Sequence, residues 1–303
     1  MTDQQHAAVG GGQAADRLRL YDDTARRAAG VVVRRYSTSF RLATGLLPAG
    51  QREHVRDVYA LVRLADEVVD GASAESGADP ATSRALLDDL ERRTEEAMRT
   101  GYSTDLLVHA FAGTAREVGI TTELTAPFFA SMRMDLTTTV HDEASLAQYV
   151  YGSAEVVGLM CLRVFLREEP ATRREARYGE LAAGARALGA AFQKINFLRD
   201  LAEDGVVLGR RYLVGLDPAN LTEQAKMDAL ADIRADLRVA RAALPGLPPG
   251  GRRACVLAYG LFAELADRIE ATPAHTLATT RVSVPPAVKA RLAAAAVLGR
   301  VPS

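Results

Sequence analysis

Apolar residues recur along most of the chain at the three- and four-residue spacing of amphipathic helices. Gly, Pro and small polar clusters cut that pattern into segments. The pattern predicts helices over 16–36, 51–71, 81–100, 103–118, 122–138, 143–167, 172–204, 222–243, 250–271 and 284–299. Residues 1–13 hold Gly10, Gly11 and Gly12 and no apolar period, which predicts a disordered tail. Pro48, Ala49 and Gly50 predict a turn. Residues 72–80 and 205–221 are rich in Gly and small or polar residues and carry Pro80 and Pro218, and both read as loops. Pro127 fits the first turn of its helix best. Alternating, strand-like runs are scarce. The expectation is an all-α single domain over 14–303, with its active site between helices.

Composition narrows this further. An apolar share of 48% is ample for a core, and a formal net charge of −1 gives no bulk attraction to nucleic acid. Nearly all basic side chains are Arg; Lys194, Lys226 and Lys289 are the lysines. Cys161 and Cys255 stand alone in apolar surroundings and read as reduced core residues rather than a disulfide. The five histidines show no metal-ligand spacing. The first residues lack a basic-then-apolar leader, and no apolar run reaches 18 residues, so a cytoplasmic location without a spanning helix is expected.

The most unusual stretch is 193–212. Asn196, Asp200 and Asp204 recur every four residues, with Gln193 three before, so a helix lines them along one stripe. Ile195, Phe197 and Leu198 border that stripe. Carboxylates and amides offer oxygen ligands, which suit a hard cation such as Mg²⁺. Asp66 and Asp70 repeat the spacing in a second segment, among Val62, Leu64, Ala65, Val68 and Val69. One exposed i, i+4 Asp pair is ordinary surface. Two partly buried pairs are not: at about 6 Å and an effective dielectric of about 20, such charges repel by roughly 3 kcal/mol. A shared counter-ion would relieve both. Glu67 and Glu203 lie off the stripes.

These stretches resemble the paired aspartate motifs of the squalene and phytoene synthases, the head-to-head prenyl transferases. Tyr36, Ser37, Thr38, Ser39 and Phe40 resemble the family's short serine motif, and Tyr149 through Gly158 its Tyr-rich segment. The likeness runs from about residue 24 to 292 and looks nearest to bacterial phytoene synthases. One departure is that Gly209, Arg210, Arg211 and Tyr212 stand one position late after the last Asp.

The resemblance implies an isoprenoid-synthase-type helical bundle with a central cavity, in which Asp66, Asp70, Asn196, Asp200 and Asp204 bind Mg²⁺ (or Mn²⁺). It implies substrate contacts for Ser37, Ser39, Tyr59, Arg63, Gln193, Arg281 and Lys289, and a cation-shielding role for Tyr149. Composition alone reads Ser37 and Ser39 as helix caps, Arg63 as one half of an ion pair, and Tyr149 as a core residue. Gly152 and Gly158 fit close approach of an isoprenoid or close helix packing equally. The implied reaction joins two geranylgeranyl diphosphates through a cyclopropyl diphosphate to phytoene, without NADPH, since no Gly-x-Gly-x-x-Gly follows a strand. The neighbouring readings are a squalene or dehydrosqualene synthase using farnesyl diphosphate, and a non-catalytic scaffold member of the family. A head-to-tail synthase is disfavoured because Asp-Asp-x-x-Asp is absent. Segment 284–299 suits either weak membrane-surface contact or packing on the domain.

Overall fold

The computed structural model describes residues 4–201, 212, 213, 216, 220–277 and 279–299; side chains of 4–15 and Ser39 lie outside that description. Helices α1 (Gln4–Tyr36), α2 (Thr38–Thr44), α3 (Ala49–Val69), α4 (Ala72–Glu75), α5 (Pro80–Thr100), α6 (Leu106–Val118) and α7 (Thr122–Asp135) form the first part. Then come α8 (Glu143–Val150), α9 (Val156–Phe165), α10 (Ala171–Arg199), α11 (Glu223–Ala243), α12 (Pro249–Ala271), α13 (Ala274–Leu277) and α14 (Pro286–Val297). Among the described residues there is no strand.

Side-chain caps set many of the boundaries. Asp79, Asp105 and Thr222 accept backbone N–H bonds at the starts of α5, α6 and α11, and Asp142 forms a reciprocal box with Ser145 at α8. Gly101 and Gly119 end α5 and α6 in the left-handed region.

The structure departs from the periodic pattern at several places; α2 and α13 are short helices it does not predict, and α3 starts at Ala49, inside the expected turn. The backbone is helical from Gln4, where sequence predicts a tail: Gln and Ala flank the three glycines, and the packed helix downstream supplies the nucleus. A single turn, α4, interrupts the 72–80 loop. Pro127 sits inside α7 beyond its first turn, because the helix already starts at Thr122. The segment 143–167 is broken by one π turn, Tyr151–Glu155, between α8 and α9. Finally, α10 ends at Arg199, with Asp200 as its C-cap.

One large apolar core runs through the molecule. Its largest fully buried side chains include Phe111, Phe128, Phe129, Met160, Ile195 and Leu198. Each such burial contributes about 1.5–3 kcal/mol. Helix α10 is the axis, packed on α9, the π turn, α11 and α12; α3 packs on α1, α6, α7 and α9. Close backbone approach explains Gly152 and Gly158. A Cβ on Gly152 would collide with the Pro127 carbonyl, and one on Gly158 with the Ala185 carbonyl. Of the two readings open in the sequence, helix packing accounts for both glycines. Cys161 and Cys255 are free thiols, each pushed up to about 12 by burial. Helix α14 packs on α12 through Leu292 and Ala296, leaving Val297 and Leu298 exposed.

Candidate active site

Helices α3 and α10 end at one cavity of about 270 Å³. Asp66 lies in the last turn of α3 and Asp70 is its C-cap; Asn196 and Asp200 hold the same two positions on α10. Unpaired carbonyls give a helix C-terminus partial negative charge, and α3 has no basic residue in its last turn. Backbone and side chains therefore add up to a cation-seeking rim. Gln193 and Arg63 also line the cavity, so the structure brings together Asp66, Asp70, Gln193, Asn196, Asp200, Arg63 and Tyr149. Asp204, Glu203 and Arg210 lie outside the described residues.

The two rims differ in charge. Burial pushes the Asp66 carboxyl up to about 7; Arg63 opposes this, and Asp70 and Glu67 add to it. Arg63 is bound to Glu67, stays 4.0 Å from Asp66, and lies 4.3 Å above the Tyr36 ring. Asp200 instead receives a forked contact from Arg199, with Nε 2.9 Å from Oδ1, and a second from Arg281 Nε at 2.8 Å.

The cavity wall is aromatic. Tyr149 and Tyr212 donate to the two oxygens of buried Asp135 at 2.9 and 3.0 Å. Burial, then the Asp135 and Tyr212 charges, raises the Tyr149 phenol well above its ordinary pKa, so it stays a donor. Phe197 stacks on Tyr212 with centroids 4.3 Å apart, and His141 stacks behind Tyr212 at 5.7 Å. Such faces stabilise a carbocation and keep water away.

The other named residues are not among these lining side chains. Ser37 caps α2, accepting from Phe40 N at 3.1 Å, as composition alone suggests. Tyr59 stacks on Phe40 at 4.5 Å. Lys289 lies in the first turn of α14. Sequence reasoning missed Asp135, Arg199, Ser153 and Met132, which all line the cavity. For Asp135 the signal was the one aspartate of the 122–138 segment, close to Phe128, Phe129 and Met132.

Does the rim suit a divalent cation? Among the described residues no three acidic, His or Cys side chains form a ready metal cage. Yet Asn196 Oδ1 is buried without a hydrogen-bond partner, and it sits beside the Asp pairs. A buried orphan acceptor among carboxylates is what a hard cation would satisfy. The donor set fits a hard divalent cation.

The family model for squalene/phytoene synthase matches residues 33–287. The chain belongs to the squalene/phytoene synthase family. A phytoene synthase of Mycobacterium bovis is 29% identical over 289 residues, covering 89% of either chain. A chloroplastic phytoene synthase 3 of Zea mays is 31% identical over 274 residues, covering 84% of this chain and 61% of the maize protein. A phytoene synthase of Arthrospira platensis is 32% identical over 212 residues, 67% and 66% of the two chains. The fold matches a ligand-bound dehydrosqualene synthase, with a TM-score of 0.76 at 20% identity over 92% of this chain and 97% of that one. A squalene synthase from Alicyclobacillus acidocaldarius gives a TM-score of 0.68 at 19% identity, over 84% and 97%. Family membership makes this chain a prenyl transferase of the phytoene synthase type.

Proposed function

We propose that the chain condenses two geranylgeranyl diphosphates, 1′ to 1, to phytoene with release of diphosphate. The observation that carries the reading is the convergence of two Asp-capped helix ends on one aromatic-walled cavity. Asp66, Asp70, Asn196 and Asp200, joined by Asp204, would hold Mg²⁺, which when bound supplies Lewis-acid neutralisation of a departing diphosphate. Arg281 and Arg63 stand at the rim to take phosphate oxygens. Tyr149, Tyr212 and Phe197 present ring faces to the allylic cation, and the Asp135 clamp holds the two phenols in place. The attacking double bond, with loss of a proton, gives a cyclopropyl diphosphate. A second ionisation, rearrangement and loss of a proton complete the product.

Proton loss rather than hydride gain means that NADPH is not needed. The test is product mass from geranylgeranyl and farnesyl diphosphate with Mg²⁺, with and without NADPH. Phytoene from the C20 substrate, unchanged by NADPH, is expected. A strict NADPH requirement, or a C30 product made in preference, overturns the assignment. A cytoplasmic enzyme that meets its hydrocarbon product at a membrane surface follows. No described helix is long and apolar enough to cross a membrane, while Val297 and Leu298 are exposed at the end of α14. Liposome flotation should show weak, reversible binding; none with any lipid would remove the membrane part.

A further inference from the structure

The groove between α1 and α3 gathers arginines that the active site does not use. The two helices run side by side in the same direction, with Arg26 near Glu53 and Tyr36 under Arg63. On α1, Arg19, Arg26, Gly30 and Arg34 fall on one stripe and face Arg56 of α3 across a pocket of about 410 Å³. Gly30 is its floor. An added Cβ there would meet Arg34 Nη1 at 3.8 Å and Arg56 Nη1 at 3.9 Å, so two guanidinium groups converge on the one residue without a side chain.

The three acids that line this pocket have partners other than Arg34 and Arg56, two of them arginines of the same lining. Asp22 lies 2.7 Å from His109 and Asp23 2.8 Å from Arg27, while Glu53 sits 4.0 Å from Arg26. Among the described residues Arg34 and Arg56 have no ion-pair partner, and Arg56 Nε is buried without a hydrogen bond. Burial and the neighbouring Arg52 and Arg34 charges hold the Arg56 guanidinium below its ordinary pKa. Like charges crowded over an open floor, with donors unspent, match a tetrahedral oxyanion. Arg56 stands ten residues before Asp66, roughly 15 Å along α3, so this pocket is separate from the cavity.

We propose that the α1–α3 groove is a second anion site, built for a phosphate group. The phosphate can come from an anionic lipid or from free solution. Leu20 and Val31, both exposed on the adjoining flank of α1, give the lipid source an apolar neighbour.

The test uses the full chain, with Arg34→Ala/Arg56→Ala as the site variant and Arg92→Ala/Arg238→Ala as a charge-matched control. One arm is flotation with vesicles of phosphatidylcholine, alone and mixed with phosphatidylglycerol. The other is calorimetric titration with inorganic pyrophosphate in EDTA. Wild type and control should bind in at least one arm, and the site variant at least about tenfold more weakly, the loss of two charge-assisted contacts. Vesicle binding alone assigns the lipid source; pyrophosphate binding assigns the soluble one. Turnover of detergent-dispersed substrate should stay within about twofold, since neither arginine lines the cavity. Gly30→Glu, which keeps every arginine and puts a carboxylate on the floor, should abolish the binding. No binding by wild type in either arm, equal loss in the control, or wild-type affinity in the site variant or Gly30→Glu overturns the proposal.

Discussion

The ends of α3 and α10 carry the same device, a polar residue in the last turn and an aspartate four residues later at the C-cap, yet in opposite electrostatic states. At α3, burial holds the Asp66 carboxyl near 7, and the nearest guanidinium, Arg63, is bound to Glu67. At α10, Asp200 is gripped by Arg199 and Arg281. Equal spacing fixes equal positions; the neighbours decide the charge. The α3 end has more to gain from an added cation. The α10 end is already paired with two arginines, and under the proposed function Arg281 would be available to a diphosphate only when another cation replaces it.

The largest expected effect falls on both ends alike. Asp66→Asn, Asp70→Asn, Asp200→Asn and Asp204→Asn should each lower turnover at least about 100-fold, the scale of losing one strong electrostatic stabiliser. Steady-state kinetics with Mg²⁺ decide it, and mild, equal losses would sink the metal assignment. Arg281→Ala should separate the ends. KM for the allylic diphosphate should rise about tenfold, one charge-assisted contact, while half-saturation by Mg²⁺ falls. A rise in both would show that Arg281 does not compete with the cation. Tyr149→Phe leaves Asp135 with one phenol fewer and should cost roughly 1–3 kcal/mol in urea unfolding, beyond its effect on rate. Glu67→Gln, off the stripe, should change turnover by less than about threefold; a loss comparable to Asp66→Asn would move the metal site towards Glu67.

A pH series sharpens the same contrast. The folded Asp66 holds its proton to about 7, whereas the unfolded carboxyl releases it near 3.8. Between those values the folded state binds more protons, so stability of the metal-free protein falls as pH rises and levels off above about 7. Buried Asp57, also held near 7 by burial, adds the same slope. Asp66→Asn should flatten the profile in part, and Mg²⁺ should restore stability at pH 8. A profile that is unchanged in Asp66→Asn would mean that Asp66 is ionised throughout.

Much of this was legible in the sequence for a physical reason. Helices and both Asp pairs are local, periodic features, and period survives folding. Asp135 is not local: its partners stand 14 and 77 residues away, and a lone Asp has no spacing to betray it. The π turn was invisible because Tyr151–Glu155 continues the helical composition on either side. Ser37 shows the two kinds of warrant diverging. Composition reads it as a cap, which the structure contains, and the resemblance reads it as a phosphate contact, which awaits substrate.

The glycine joints of the π turn and α9 carry a consequence for how this enzyme can change over generations. Where Gly152 and Gly158 meet the backbones of α7 and α10, there is no side chain to trim, so mutation can only add bulk and force the helices apart. Those joints are closed to gradual change. Drift in cavity size falls instead to positions built from side chains, such as Val62 and Met132, which line the cavity and where a methylene can be gained or lost at a time.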